Sequence, residues 1–164
     1  IVKYSLNDIS FIRRKSMKKY AILCGSAPEN FRQKKIIQMY DFLTQAEGGV
    51  FEPCNIIIFP NGINELLLES VLNEAFDEAS ADGQPGQIFL YFCTQTEKDL
   101  HAELSDCEVS GVEVIRLGKD EIHKEVIAYY ADLSEKMGVE FRVEYAFDNK
   151  FVSEEELGWE SVEA

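Results

Sequence analysis

Thiol chemistry with an imidazole base has few side chains to draw on: two histidines, His101 and His123, and four cysteines, Cys24, Cys54, Cys93 and Cys107. A thiol becomes a nucleophile when a base within hydrogen-bond reach takes its proton. The question is therefore which cysteine and which histidine the chain can bring to one place. Cys93 closes the apolar run Ile88-Phe89-Leu90-Tyr91-Phe92-Cys93, and His123 falls in the first turn of a helix expected to begin near Asp120. Both are expected at the carboxyl edge of a parallel sheet, where open α/β folds place their sites. A helix N-terminus there favours a neutral histidine and helps to hold a thiolate. Against the pair stands ordinary packing, because a cysteine that ends an apolar run behaves as a small hydrophobe. A metal site built from Cys24, Cys93 and His123 is a further alternative. His101 follows the same strand with no cysteine beside it and reads as a surface loop residue. Cys107 precedes the next strand, which puts it near the opposite edge of the sheet, about 20 Å away at roughly 3.3 Å per residue.

Other patterns offer less. The loop Gly25-Ser26-Ala27-Pro28-Glu29-Asn30 lies where phosphate loops occur, but it has one glycine and an acid that would repel a diphosphate. Ser26 and Asn30 read as cap and turn residues. Glu69, Glu74, Asp77 and Glu78 read as the solvated face of a helix. The cysteines show neither CxxC spacing nor a zinc signature, so no metal and no cofactor is implied, and they read as reduced, buried thiols of a cytoplasmic protein.

These residues need elements to position them. Tyr20-Ala21-Ile22-Leu23-Cys24 is a short apolar strand, and residues 31–45 carry Phe31, Ile36, Ile37, Met39, Tyr40 and Leu43 at helical spacing. A second strand, Asn55-Ile56-Ile57-Ile58-Phe59, is closed by the turn Pro60-Asn61-Gly62. Asn64 is placed to cap a second helix whose wide apolar stripe is Leu66, Leu67, Leu68, Val71, Leu72, Ala75, Phe76 and Ala79. The run at residues 88–93 has apolar residues throughout, the pattern of a central strand buried on both faces. Residues 97–104 fit a short helix or an ordered loop. A fourth strand is expected at residues 112–117, then a helix from Asp120 to about Lys136 stopped by Gly138. Last comes an alternating strand at residues 139–147, the mark of one wet face, expected at a sheet edge.

Composition sets outer bounds. The 164 residues suffice for one domain with a core of ordinary size, and no apolar run approaches the length of a membrane helix. The net charge of −14 argues against nucleic acid or an acidic membrane as a partner. Residues 1–16 carry Lys3, Arg13, Arg14 and Lys15 against Asp8 and read as a basic arm or a leader. Residues 17–150 form the expected domain. Residues 151–164 form an acidic tail in which Trp159 is expected to anchor on the domain.

The order of elements implies a three-layer α/β sandwich, a mostly parallel sheet with helices on both faces. A flavodoxin-like sheet explains the same order. Three details resemble the caspase-like fold of clan CD cysteine peptidases over residues 18–117: the lysine-flanked run Lys19-Tyr20-Ala21-Ile22-Leu23-Cys24-Gly25, the turn Pro60-Asn61-Gly62-Ile63-Asn64 before a helix, and Tyr91-Phe92-Cys93 ending the third strand. The resemblance implies Gly-His-Gly after that strand, whereas Thr94-Gln95-Thr96 stands there and Gln95 fills the slot of the catalytic histidine. It also implies a nucleophile at the end of the fourth strand, where this chain has Leu117-Gly118-Lys119-Asp120. The resemblance thus implies a caspase-like domain without its catalytic pair, acting as a protein-binding or regulatory module. Its cleft would be formed by Ser26, Cys93, Thr94, Gln95 and Lys119, and its partner would be a protein or peptide. The alternatives are a cysteine peptidase with a relocated Cys93 and His123 pair, and a flavodoxin-like binder of small molecules.

Overall fold

Eight consecutive buried residues, Gln87–Thr94, form the strand on which the other elements pack. The computed structural model describes residues 18–26, 29–45, 50–81, 86–104 and 111–147. The basic arm, the acidic tail with Trp159, and Cys107 lie outside the described residues.

In chain order the elements are β1 (Lys19–Gly25), α1 (Glu29–Thr44), β2 (Ile56–Phe59), α2 (Glu65–Ser80), β3 (Gln87–Thr94), β4 (Ala102–Glu103), β5 (Glu113–Leu117), β6 (Asp120–His123), α3 (Lys124–Met137) and β7 (Glu140–Phe147). Short 3-10 turns at Pro53–Asn55 and Glu97–His101 precede β2 and β4. The main sheet runs β2-β1-β3-β7, and every pairing in it is parallel. β3 is central, in keeping with its continuous apolar run, and β7 takes an edge among the described residues. The wet face expected from the alternation of β7 is not found: Arg142 and Glu144 are half-buried, and Tyr145 of the apolar set is exposed.

Alternation along the strands divides the core in two. Ala21, Leu23, Phe89, Tyr91 and Cys93 point to one face, where α1 covers them with Ile36, Met39 and Leu43. Ile22, Cys24, Ile88, Leu90 and Phe92 point to the other, against Leu68, Leu72, Phe76 and Ala79 of α2 and Tyr130 of α3. Tyr130 fixes the two helices together, since its hydroxyl donates to Asn73 Oδ1 at 2.7 Å while its ring stacks on Phe76. The Asn64 cap forms as the sequence predicts, with Oδ1 accepting from the Leu67 N–H at 2.8 Å. Gly138 stops α3 at φ 68°, a left-handed position that glycine adopts without cost.

Three further expectations need correction. Cys54, read as buried, is exposed, because it lies in the 3-10 turn before β2 and not in the sheet. Leu66 and Leu67, read into the apolar stripe of α2, are exposed in its first turn. The third concerns the fourth strand. The strand at residues 112–117 is not the fourth strand of the parallel sheet: as β5 it is the middle strand of a separate antiparallel sheet, β4-β5-β6. Asp120 is therefore not a helix cap. It lies in β6, turned back on β5 at Gly118-Lys119, and the capping position of α3 is His123. The physical reason is the short turn. Two residues with a left-handed glycine at φ 64° reverse the chain into a hairpin before any helix can start. The fourth parallel strand is β7.

The small sheet is held against the main one at a close backbone approach. A β-carbon on Gly62 would sit 2.8 Å from Asp120 Oδ2 and 3.1 Å from the Leu117 carbonyl, so the turn after β2 admits only glycine beneath this hairpin.

Candidate functional site

The carboxyl edge of the main sheet collects the residues that follow its strands: Ser26 after β1, Pro60-Asn61-Gly62 after β2, and Thr94-Gln95-Thr96 at the end of β3. The hairpin turn Gly118-Lys119 stands over the same side through its contact at Gly62. Of the five residues expected to form a cleft, Ser26, Thr94 and Gln95 therefore stand at this rim, and Lys119 is exposed in the turn of the hairpin that approaches it at Gly62.

A ladder of short hydrogen bonds fixes the rim. The Ser26 N–H donates to the Cys93 carbonyl at 3.0 Å, carrying the β1–β3 pairing one residue past the strand. Thr94 is fully buried and its hydroxyl donates to the Thr96 carbonyl at 2.9 Å. The Asp99 carboxylate accepts from the Thr96 N–H at 3.1 Å and from its hydroxyl at 3.2 Å, a capping box that starts the 3-10 turn. Gln95 lies half-buried between these two locked threonines. Among the described residues its amide makes no hydrogen bond, nor do the side chains of Ser26 and Lys119, so both amide donors and the amide oxygen are available to a ligand.

Cys93 belongs to the rim only through its backbone. Its side chain is 1% exposed and packs under α1 with Leu23, Phe89 and Tyr91. His123 lies on the other side of the sheet, where β6 and α3 meet α2. Its backbone N–H donates to Glu65 Oε2 at 2.6 Å and its ring Nδ1 to the same oxygen at 2.8 Å. A carboxylate can only accept, so Nδ1 carries a proton and the imidazole works as a clasp between the starts of α2 and α3. The relocated pair is thus not brought together: neighbouring residues of a strand point to opposite faces, and Cys93 and His123 fall on different ones. The same alternation separates Cys24 from Cys93, so the three-residue metal set does not converge. Among the described residues no group of three or more histidines, cysteines and carboxylates is placed to hold a metal ion. Burial alone pushes the Cys24 thiol well above the ordinary range.

His101 is exposed, as its position after the third strand suggests, and its Nδ1 accepts from Lys124 Nζ at 3.3 Å. A groove of about 150 Å³ runs between α1 and β7, away from Gln95, and is lined by Lys35, Met39, Tyr91 and Glu144 among others.

Two residues that matter here are not evident from composition or charge. Glu65 reads as one more acid on a solvated helix face, and only the packing of β6 on α2 shows it as the partner of His123. Asp99 could have been found, because Thr96-Glu97-Lys98-Asp99 has the spacing of a capping box.

Comparison of the chain with models of protein families, with curated proteins and with solved structures returned no match.

Proposed function

We propose that this chain is a caspase-like domain that binds an extended peptide or a partner loop at the carboxyl edge of its sheet and does not cleave it. The observation that carries the reading is the identity of the groups at the ends of the two strands to which the resemblance assigns the catalytic pair. After β3 the chain offers Gln95, an uncharged amide that donates and accepts hydrogen bonds but does not take up a proton. The fourth parallel strand is β7, so the slot that the resemblance assigns to the nucleophile moves from residue 117 to the end of β7. There the sequence reads Ala146-Phe147-Asp148-Asn149, without a thiol. Cys93, whose backbone reaches the rim, has its side chain turned under α1, and His123 is held by Glu65.

Binding suits the same geometry. Among the described residues Ser26, Gln95 and Lys119 present unengaged hydrogen-bonding groups from three separate loops, and the threonine and aspartate ladder around Gln95 is already ordered. A ligand would meet a preorganised surface and avoid the cost of ordering a loop. The test is retention of a mixed peptide library on the immobilised chain, followed by mass spectrometry of the peptides held. The reading predicts recovery of intact peptides and loss of retention in Gln95→Ala. Retention unchanged by Gln95→Ala together with Ser26→Ala would place the binding surface elsewhere.

A further inference from the structure

β2 ends the main sheet, and its outer edge has no strand beside it among the described residues. Open edges in folded proteins are protected by a charged residue, a proline, a bulge, a covering loop or a very short strand. β2 is short, four residues, but within them, Ile56, Ile57, Ile58 and Phe59, it has neither a charge nor a proline. Ile57 is 45% exposed and Ile58 39% exposed, and they point to opposite faces, because Ile57 pairs in register with Ile22 and Ile58 with Leu23. The edge is therefore apolar on both sides, with its backbone donors and acceptors unmet by another strand among the described residues.

We infer that this edge is where two copies of the chain associate, β2 pairing antiparallel with β2 to make one continuous sheet of eight strands across a two-fold axis. Charge identifies the occupant. The chain carries −14, so two copies repel over most of their surfaces, yet residues 53–64, spanning β2 and both of its flanks, contain no charged side chain. A self-paired edge meets the least repulsion at such a stretch, and here it coincides with the exposed strand. A two-fold axis normal to the sheet keeps each face on its own side, so directly opposed residues must have the same parity. Two registers satisfy this within β2. Centring on Ile58 would bring Pro60, which has no N–H, into the ladder. Centring on Ile57 leaves it outside and sets Ile57 against Ile57, and Ile56 against Ile58. The association is thus isologous and closed, and it covers the isoleucines on both faces at once.

Sedimentation velocity of the whole chain over a concentration series tests it. The wild type is expected to sediment as a dimer, and Ile57→Lys, which places two like charges across the axis, as a monomer with an unchanged circular dichroism spectrum. Leu66→Lys, at a residue 79% exposed outside the strand, is expected to leave the dimer intact. A second measurement fixes the register. With Cys54 and Cys107 replaced by serine, Ile57→Cys should form a disulfide-linked dimer on mild oxidation, since opposed residues in an antiparallel pair lie about 4.5–5.5 Å apart at Cα, within disulfide range. Leu66→Cys in the same background should not. A wild type that stays monomeric throughout, or that associates only with an added foreign strand-forming peptide, overturns the inference. So does a dimer that survives Ile57→Lys or an Ile57→Cys chain that does not cross-link.

Discussion

β2 and β3 are made of the same kind of residue and do different work. Ile56-Ile57-Ile58-Phe59 and Ile88-Phe89-Leu90-Tyr91 are both continuous apolar runs, and either could be the middle of a sheet by pattern alone. In the fold, β3 lies between β1 and β7 with helices over both faces, and all eight of its residues are buried. Among the described residues β2 has one strand beside it, and its two central residues stay exposed. An apolar run therefore specifies a strand but not its place in the sheet. Length separates these two strands, eight residues against four, but it does not mark an edge in general, since β7 also lies at an edge and has eight residues. The difference extends to function: β3 delivers a fixed, polar rim, whereas β2 offers its own backbone.

The contrast between the two strands is sharpest at Phe89. Phe89→Ala removes a fully buried ring from the α1 side of β3 and should cost about 3–5 kcal/mol, read from the shift in the urea midpoint. Ile57→Ala, measured where the chain is dilute enough to be monomeric, should stay within about 1 kcal/mol. Equal losses at the two sites would mean that the edge is covered after all.

Gly86→Ala comes next. A β-carbon there would lie 2.6 Å from Ala79 Cβ and 2.7 Å from the Ala79 carbonyl, so the start of β3 and the end of α2 would have to separate, at roughly 1–3 kcal/mol. No comparable approach constrains β2 within its own strand.

A smaller effect is expected where the small sheet meets α2. Glu65→Ala leaves the His123 backbone N–H and ring without their acceptor and, because both side chains are partly exposed, should cost about 0.5–1.5 kcal/mol in thermal or urea unfolding, with peptide retention at the rim preserved. Retention lost in proportion to stability would tie the clasp to the binding surface.

The smallest effect on stability, and the most direct reading of exposure, comes from the thiols. Iodoacetamide at neutral pH should label Cys54, which is exposed just before β2, and leave Cys24 and Cys93 unmodified. Raising the pH to ~9, above the ordinary thiol range, should still leave Cys24 unlabelled, because burial holds its proton more tightly in the folded chain than in the unfolded one. The stabilisation from this group is complete below the unfolded thiol pKa and declines as pH rises above it, so unfolding becomes easier toward alkaline pH. Alkylation of Cys93 in the folded protein would revive the relocated pair.

Much of this architecture is legible in the residues. The Asn64 cap, the Gly138 stop and the buried run of β3 each have a local cause, and each appears where that cause predicts. The partnership of β5 is not legible in the same way. Val112-Glu113-Val114-Ile115-Arg116-Leu117 alternates only in part, and nothing in it distinguishes a fourth parallel strand from the centre of a small antiparallel sheet. The decision lies in the turn at Gly118-Lys119, which sends the chain back along β5. That one reversal moves the end of the fourth parallel strand from residue 117 to residue 147. For the candidate site, the rim at Thr94-Gln95-Thr96 is visible as the end of an apolar run. The clasp of Glu65 on His123 joins residues 58 apart and is created only by packing.

The central claim is that the rim holds peptides without cutting them, and it is tested most directly by incubating the chain with a peptide library and identifying the products by mass spectrometry. The account predicts intact peptides only, retained by the wild type and released by Gln95→Ala. Cleaved peptides in the wild-type reaction that vanish in Cys93→Ser would contradict it.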